Sequence, residues 1–246
     1  MLPKNLLILD TETTGLEPES SQVLELGAIL YSVEYRCTLQ QMSTLLPVIG
    51  DNPAEAVNKI NVEATRTDYN FSLTLELFRQ FHHKADYVVA HNAEFDRKWF
   101  GRGTLPPVTK PWLCTCDDFL WPKAIKRRPS LVNLVLEYGI GVNNIHRALS
   151  DCHLISLLFD RVDNFEDLLI RAIERSQEPQ YFFIAEVSYG ERDLAKSRGF
   201  RWNQYVKNKW AKRMRESDFA VENSSEKYPF EVTTAPVVLE NSILEI

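Results

Sequence analysis

LLILDTETTG, residues 6–15, is the stretch from which the fold of this 246-residue chain can be read. Leu6, Leu7, Ile8 and Leu9 run directly into Asp10, and Glu12 follows two positions later. The apolar run predicts a buried strand. A strand turns residues i and i+2 to one face, so both carboxylates should point the same way. Like charges that close repel, and leaving them uncompensated costs free energy. Either they splay into water, as a solvated strand end would, or something positive sits between them.

Outward from that strand, the composition is ordinary for a globular protein, with 44% hydrophobic and 25% charged residues. The length allows one sizeable core and a small appendage. The apolar run before Asp10 is too short for a signal peptide, and no run of about 18 apolar residues predicts a membrane span. Cys37, Cys114, Cys116 and Cys152 follow no disulfide or zinc spacing, so we read them as reduced thiols of a cytoplasmic protein. The net charge of −6 is unevenly spread. Residues 187–215 hold nine cations against Glu191 and Asp193, on an otherwise acidic chain. That asymmetry points to two jobs separated along the sequence.

Periodicity gives the coarse order. Residues 22–47 read as two further strands, rich in branched and aromatic side chains. FSLTLELFRQFHH carries an apolar helical stripe at Phe71, Leu75, Phe78 and Phe81. DYVVAHN is a short strand and AEFDRKWF a helix, with Asn92 placed to cap it. SLVNLVLEYGI predicts a helix capped by Ser130 and ended by Gly139. RALSDCHLISLLF and FEDLLIRAIERS predict two more. Three strands, then helices alternating with short strands, indicate an α/β domain with a mixed sheet.

Two stretches bear on Asp10 and Glu12. VVAHNAEFD ends a strand and sets Asp96 one turn past Asn92, where sites are assembled in α/β sheets. Alone, Asp96 is also an ordinary first-turn helix acid. In HRALSDCHLISLLF, Asp151 sits among apolar residues that read as core, and an acid there needs a partner or a metal. His146 and Asp151 would diverge by about 140° on one helix. For both to line one site, His146 must sit on the entering loop, which GVNNIH supports. Plainer readings serve elsewhere: His91 as structural, His82 and His83 as helix-end residues, and Glu25 as a support.

DTETTG, VAHNAEFD and HRALSD, in that order, resemble the three motifs of the DEDDh (DnaQ-like) 3′–5′ exonucleases. ELGAI and LVNLVLEYGI echo their flanks, and the resemblance covers roughly residues 4–175. It implies a ribonuclease-H-like α/β fold, a mixed sheet flanked by helices. It also implies that Asp10, Glu12, Asp96 and Asp151 hold two divalent cations, with His146 as general base. Oxygen-only ligands suit Mg²⁺ or Mn²⁺. A cation between Asp10 and Glu12 would explain why they stand together. The expected substrate is the 3′ end of single-stranded DNA, or alternatively RNA, with Thr13, Leu16, Asn92 and Phe95 near the terminal base. A non-catalytic binding protein on the same fold is the rival from another class.

The expected domains are a nuclease over 1–178, a small basic α+β module over 179–216 and an acidic, flexible tail over 217–246. The module reads as a strand, a short helix stopped by Gly199, and a hairpin turning near Val206–Asn208. Its sequence is similar to a short Trp-bearing module found beside other nucleic-acid enzymes. Lys209 and Arg213 are its candidate nucleic-acid contacts, while Phe200, Trp202 and Trp210 could equally be its core. The tail could add a strand through EVTTAPVVLE, or dock on a DNA polymerase or another protein.

Overall fold

A computed structural model describes residues 2–67, 70–124, 128–225 and 228–237. The chain divides into two compact units, Met1–Ser176 and Gln177–Ile246.

The first unit runs β1 (Asn5–Thr13), β2 (Val23–Ser32), β3 (Cys37–Leu45), α1 (Glu55–Asn58), a 3-10 turn (Val62–Arg66), α2 (Phe71–Lys84), β4 (Tyr87–Ala90), α3 (Ala93–Arg97), β5 (Trp112–Cys114), α4 (Leu131–Glu137), α5 (Ala148–Arg161) and α6 (Phe165–Ser176). The five strands order as β3-β2-β1-β4-β5. β1 pairs antiparallel with β2 and parallel with β4, which makes the sheet mixed.

The alternation along β1 positions everything else. Leu6 and Ile8 pack with Leu134 of α4, Ile155 and Phe159 of α5, and Phe165 of α6. Leu7 and Leu9 pack on the other side with Leu75, Phe78 and Phe81 of α2. Period two then carries Asp10 and Glu12 onto the face that α5 covers. The β1–β2 ladder slips between Glu12 and Thr13, so the strand deforms immediately past the acids.

Gly27 of β2 is required by a close approach. A Cβ there would stand 2.4 Å from the Ala148 carbonyl carbon and the Leu149 nitrogen. The first turn of α5 therefore lies directly on the sheet. Ser130 caps α4 by accepting from the Asn133 N–H, and Gly139 follows at φ 69°, as the sequence predicts. Asn92 is a correction. It adopts the left-handed conformation at φ 66°, and its side chain makes no cap hydrogen bond to α3.

The second unit contains β6 (Gln180–Glu186), a 3-10 turn (Tyr189–Glu191), α7 (Arg192–Ser197), β7 (Arg201–Trp202), β8 (Trp210–Arg215), α8 (Glu216–Ser225) and β9 (Glu231–Pro236). Its antiparallel sheet orders as β7-β8-β6-β9. The hairpin is where the sequence places it, with Asn203 N–H donating to the Lys209 carbonyl. A flexible tail from residue 217 is corrected: α8 and β9 belong to this unit, and β9 pairs along β6 from Tyr181 to Glu186. The helix is held from outside itself. Phe219 stacks on Phe183 with ring centroids 4.2 Å apart, and Lys212 meets Glu222 at 2.6 Å. Residues 238–246 lie outside the described part.

Candidate active site

Three carboxylates converge at the end of β1. Ligand oxygens of Asp10, Glu12 and Asp151 all lie within 4.8 Å of one another. Asp10 and Glu12 are neighbours on one strand face, and Asp151 arrives in the first turn of α5. Asp96, on α3, is 1% exposed and has one oxygen committed. Its Oδ1 accepts from the Thr11 backbone N–H at 3.0 Å and from Thr11 Oγ1 at 2.8 Å. Thr11 thus ties the second motif to the first, a role the sequence alone did not disclose.

The four acids share one electrostatic problem. Burial, then repulsion from Asp96, Asp151, Glu12 and Glu25, holds Asp10 well above the ordinary carboxylate range. Burial and the neighbouring acids push Glu12 up to about 8. Burial pushes Asp96 up to about 7, against the pull of the Thr11 hydrogen bonds. Burial raises Asp151 to about 6, opposed by charge on His146 and a hydrogen bond from the His146 backbone. Without a counter-charge these groups hold their protons to higher pH than ordinary carboxylates do. A divalent cation relieves the repulsion, and an all-oxygen donor set suits a hard ion.

His146 sits in the loop before α5, exposed, at φ 60°. The next residue is fixed. Arg147 Nε and Nη2 each donate to the Glu25 carboxylate at 2.9 Å, and the Ala148 N–H donates to it at 3.0 Å. Glu25 is only 2% exposed and also accepts from Ser43 Oγ. One buried acid on β2 therefore anchors the start of the helix that delivers Asp151. ELGAI carries both devices, Glu25 as anchor and Gly27 as clearance. Arg147 went unrecognised in the sequence because its partner lies 122 residues away.

The expected nucleic-acid contacts separate into groups. Leu16 is 71% exposed, Asn92 is exposed, and Phe95 is half-buried against Trp99. Lys98 links the turn at Leu16 to α3, donating to the Leu16 carbonyl with its ammonium 5.1 Å from the Phe95 ring centroid. Thr13 is corrected. It is buried, and its hydroxyl donates to the Gly15 carbonyl at 2.6 Å, so it braces the turn beneath Leu16. In the second unit Lys209 meets Glu186 at 3.1 Å, and Arg213 donates to Gln180 at 2.6 Å. His91 stands 2.9 Å from Thr115 Oγ1 and is held down to about 4 by burial.

Residues 7–159 match the family model described as Exonuclease. The chain belongs to the exonuclease family. Among its relatives is the DNA polymerase III subunit epsilon of Treponema pallidum, 30% identical over 61% of this chain and 72% of that protein. Exodeoxyribonuclease 10 of Escherichia coli K12 is 29% identical over 65% of this chain and 69% of its own length. A solved structure of Exonuclease X in complex with 5′ overhanging duplex DNA shares the fold, with a TM-score of 0.50 and 24% identity. It covers 68% of this chain and 99% of that one. The five-stranded mixed sheet of this exonuclease is the ribonuclease-H-like sheet, and the protein is a 3′–5′ exonuclease acting on nucleic acid. Residues 181–234 match a domain of unknown function, DUF8626. No helix among the described residues is long and apolar enough to cross a membrane.

Proposed function

We propose that this exonuclease removes nucleoside 5′-monophosphates from the 3′ end of single-stranded nucleic acid, with DNA as the favoured substrate, in DNA repair or proofreading. The observation that carries the reading is the convergence of Asp10, Glu12 and Asp151 with Asp96 alongside. These four acids would hold two divalent cations, Mg²⁺ or Mn²⁺. When bound, such ions supply neutralising charge, acidify the attacking water and stabilise the leaving 3′ oxygen.

The remaining work falls to the chain. His146 acts as general base and takes a proton from the attacking water. Its place beside Asp151, on a loop whose next residue is pinned to Glu25, supports that role. Thr11 keeps Asp96 aimed inward. Leu16, Asn92 and Phe95 border the terminal nucleotide, where an exposed leucine and a half-buried ring offer surfaces for a base.

The relatives named as a DNA polymerase III subunit and an exodeoxyribonuclease support the preference for DNA. The first of these also makes a DNA polymerase the candidate protein partner. Free cysteines at Cys37, Cys114, Cys116 and Cys152 are consistent with action in the cytoplasm. Incubating the protein with 5′-labelled single-stranded DNA and RNA, in Mg²⁺, Mn²⁺ or EDTA, tests the reading. The expected result is a ladder shortening from the 3′ end, faster on DNA and abolished by EDTA. Faster shortening of RNA would make it an exoribonuclease. Binding without hydrolysis in any metal would make it a non-catalytic reader of 3′ ends.

A further inference from the structure

The second unit does not resemble a simple basic patch. Gln177–Ile246 contains ten cations and eleven acids, so the positive charge of residues 187–215 is offset within the unit itself. Lys212 is paired with Glu222, and Arg215 stands 3.8 Å from Asp218. Any nucleic-acid site here has to be local, and one region of the surface meets that requirement.

A cleft of about 680 Å³ opens beside the hairpin, bordered by Tyr189, Arg192, Lys196, Trp202, Lys209 and Trp210. Two of its walls are flat aromatic faces left in water. Tyr189 is 84% exposed and Trp202 is 52% exposed. Neither ring belongs to the apolar clusters that form the core of the unit. Its core is closed by Phe183, Phe200, Met214 and Tyr228, with Phe219 and Phe230 against them. Trp202 lies against Trp210, ring centroids 5.8 Å apart, and the Arg192 guanidinium lies 4.1 Å from the Tyr189 ring centroid. Two acids also line the cleft, Glu186 and Asp193, and Glu186 is paired with Lys209.

We propose that this cleft is a second binding site for single-stranded nucleic acid, in which bases stack on Trp202 and Tyr189 and phosphates meet Arg192 and Lys196. Aromatic faces with interleaved cations match a strand that alternates flat rings and anions. An acidic peptide would satisfy the cations but leave the rings without a partner. The site is distinct from the acidic cluster, which belongs wholly to the first unit.

The test measures binding by fluorescence anisotropy on the full chain in EDTA, so that hydrolysis plays no part. The probe is a fluorescein-labelled oligothymidylate of about 15 nucleotides. Trp202→Ala combined with Tyr189→Ala should weaken binding at least tenfold, and restoring a ring with Trp202→Phe should regain most of it. Arg192→Ala with Lys196→Ala should flatten the dependence of log affinity on log salt by about 1.4, the loss expected for two phosphates on a single strand. Circular dichroism unchanged from wild type ties these losses to the cleft rather than to unfolding. Unchanged affinity in the aromatic double variant overturns the proposal, and so does a loss that Trp202→Phe fails to restore. Equal competition by a polyglutamate of matched charge overturns it as well, in favour of a protein partner. Failure of the nuclease reading would appear as absent hydrolysis, an outcome independent of these.

Discussion

At the scale of single residues, the site is a set of acids whose burial and mutual repulsion oppose their ionising together. Asp10 and Asp151 come from different elements, and each brings its own carboxylate to the cluster. Asp10→Ala or Asp151→Ala should leave less than about a tenth of the wild-type hydrolysis rate with the fold retained. A steady-state assay with circular dichroism checks both, and substantial residual activity would contradict a shared metal site. His146 gives a different signature, since its ring is assigned to water. His146→Ala should slow turnover strongly while Mn²⁺ affinity, read by calorimetry, stays near wild type. If affinity falls as far as rate, the imidazole is a ligand. The acids were legible in the sequence because spacing on a strand and an acid inside an apolar helix are local signals. Thr11, Arg147 and Lys98 were not, because each acts through a partner distant in the chain.

At the scale of elements, α5 is the part on which the geometry depends. It presents Asp151 only because its first turn rests on Gly27 and is anchored by Glu25. Gly27→Ala would place a methyl 2.4 Å from helix backbone, which cannot yield as a side chain end can. Overpacking of this kind costs about 1–3 kcal/mol. The expected result is lower stability in urea together with a fall in kcat larger than that in substrate affinity, because the displaced element carries Asp151. A variant that loses stability but keeps full kcat would show that α5 is not the positioning element. The long helices were readable from apolar spacing. β5 was not, since three residues carry no period. α8 escaped because Glu216–Ser225 has a weak apolar face and depends on Phe183, Lys212 and Arg215 for its place. β9 was foreseen only as an option, since strand formation by EVTTAP requires the β6 edge.

At the scale of the whole molecule, the carboxylates convert pH and metal into stability. A carboxylate whose folded pKa is raised holds a proton that the unfolded chain has already released. Its stabilising effect is complete below the unfolded pKa, near 4, and is lost as pH rises through the folded value. For Asp96 and Glu12 those folded values are about 7 and about 8. His91 acts in the opposite direction. Held down to about 4, it destabilises the fold as pH falls below the ordinary imidazole range. The window that isolates the acids is therefore about pH 6.5 to 8, above the His91 effect. In EDTA, the melting temperature should fall across that window. With Mn²⁺ or Mg²⁺ in excess, the same acids act as ionised ligands, so the fall should disappear and the melting temperature should rise with cation concentration. Asp10→Asn should blunt the metal response. The acidic cluster lies entirely within Met1–Ser176, so a chain ending at Ser176 should show the same metal-dependent rise as the full chain. Differential scanning calorimetry of both, with and without cation, makes the comparison. A metal response present only in the full chain would mean that the second unit supplies a ligand, and the four-carboxylate assignment would have to be abandoned.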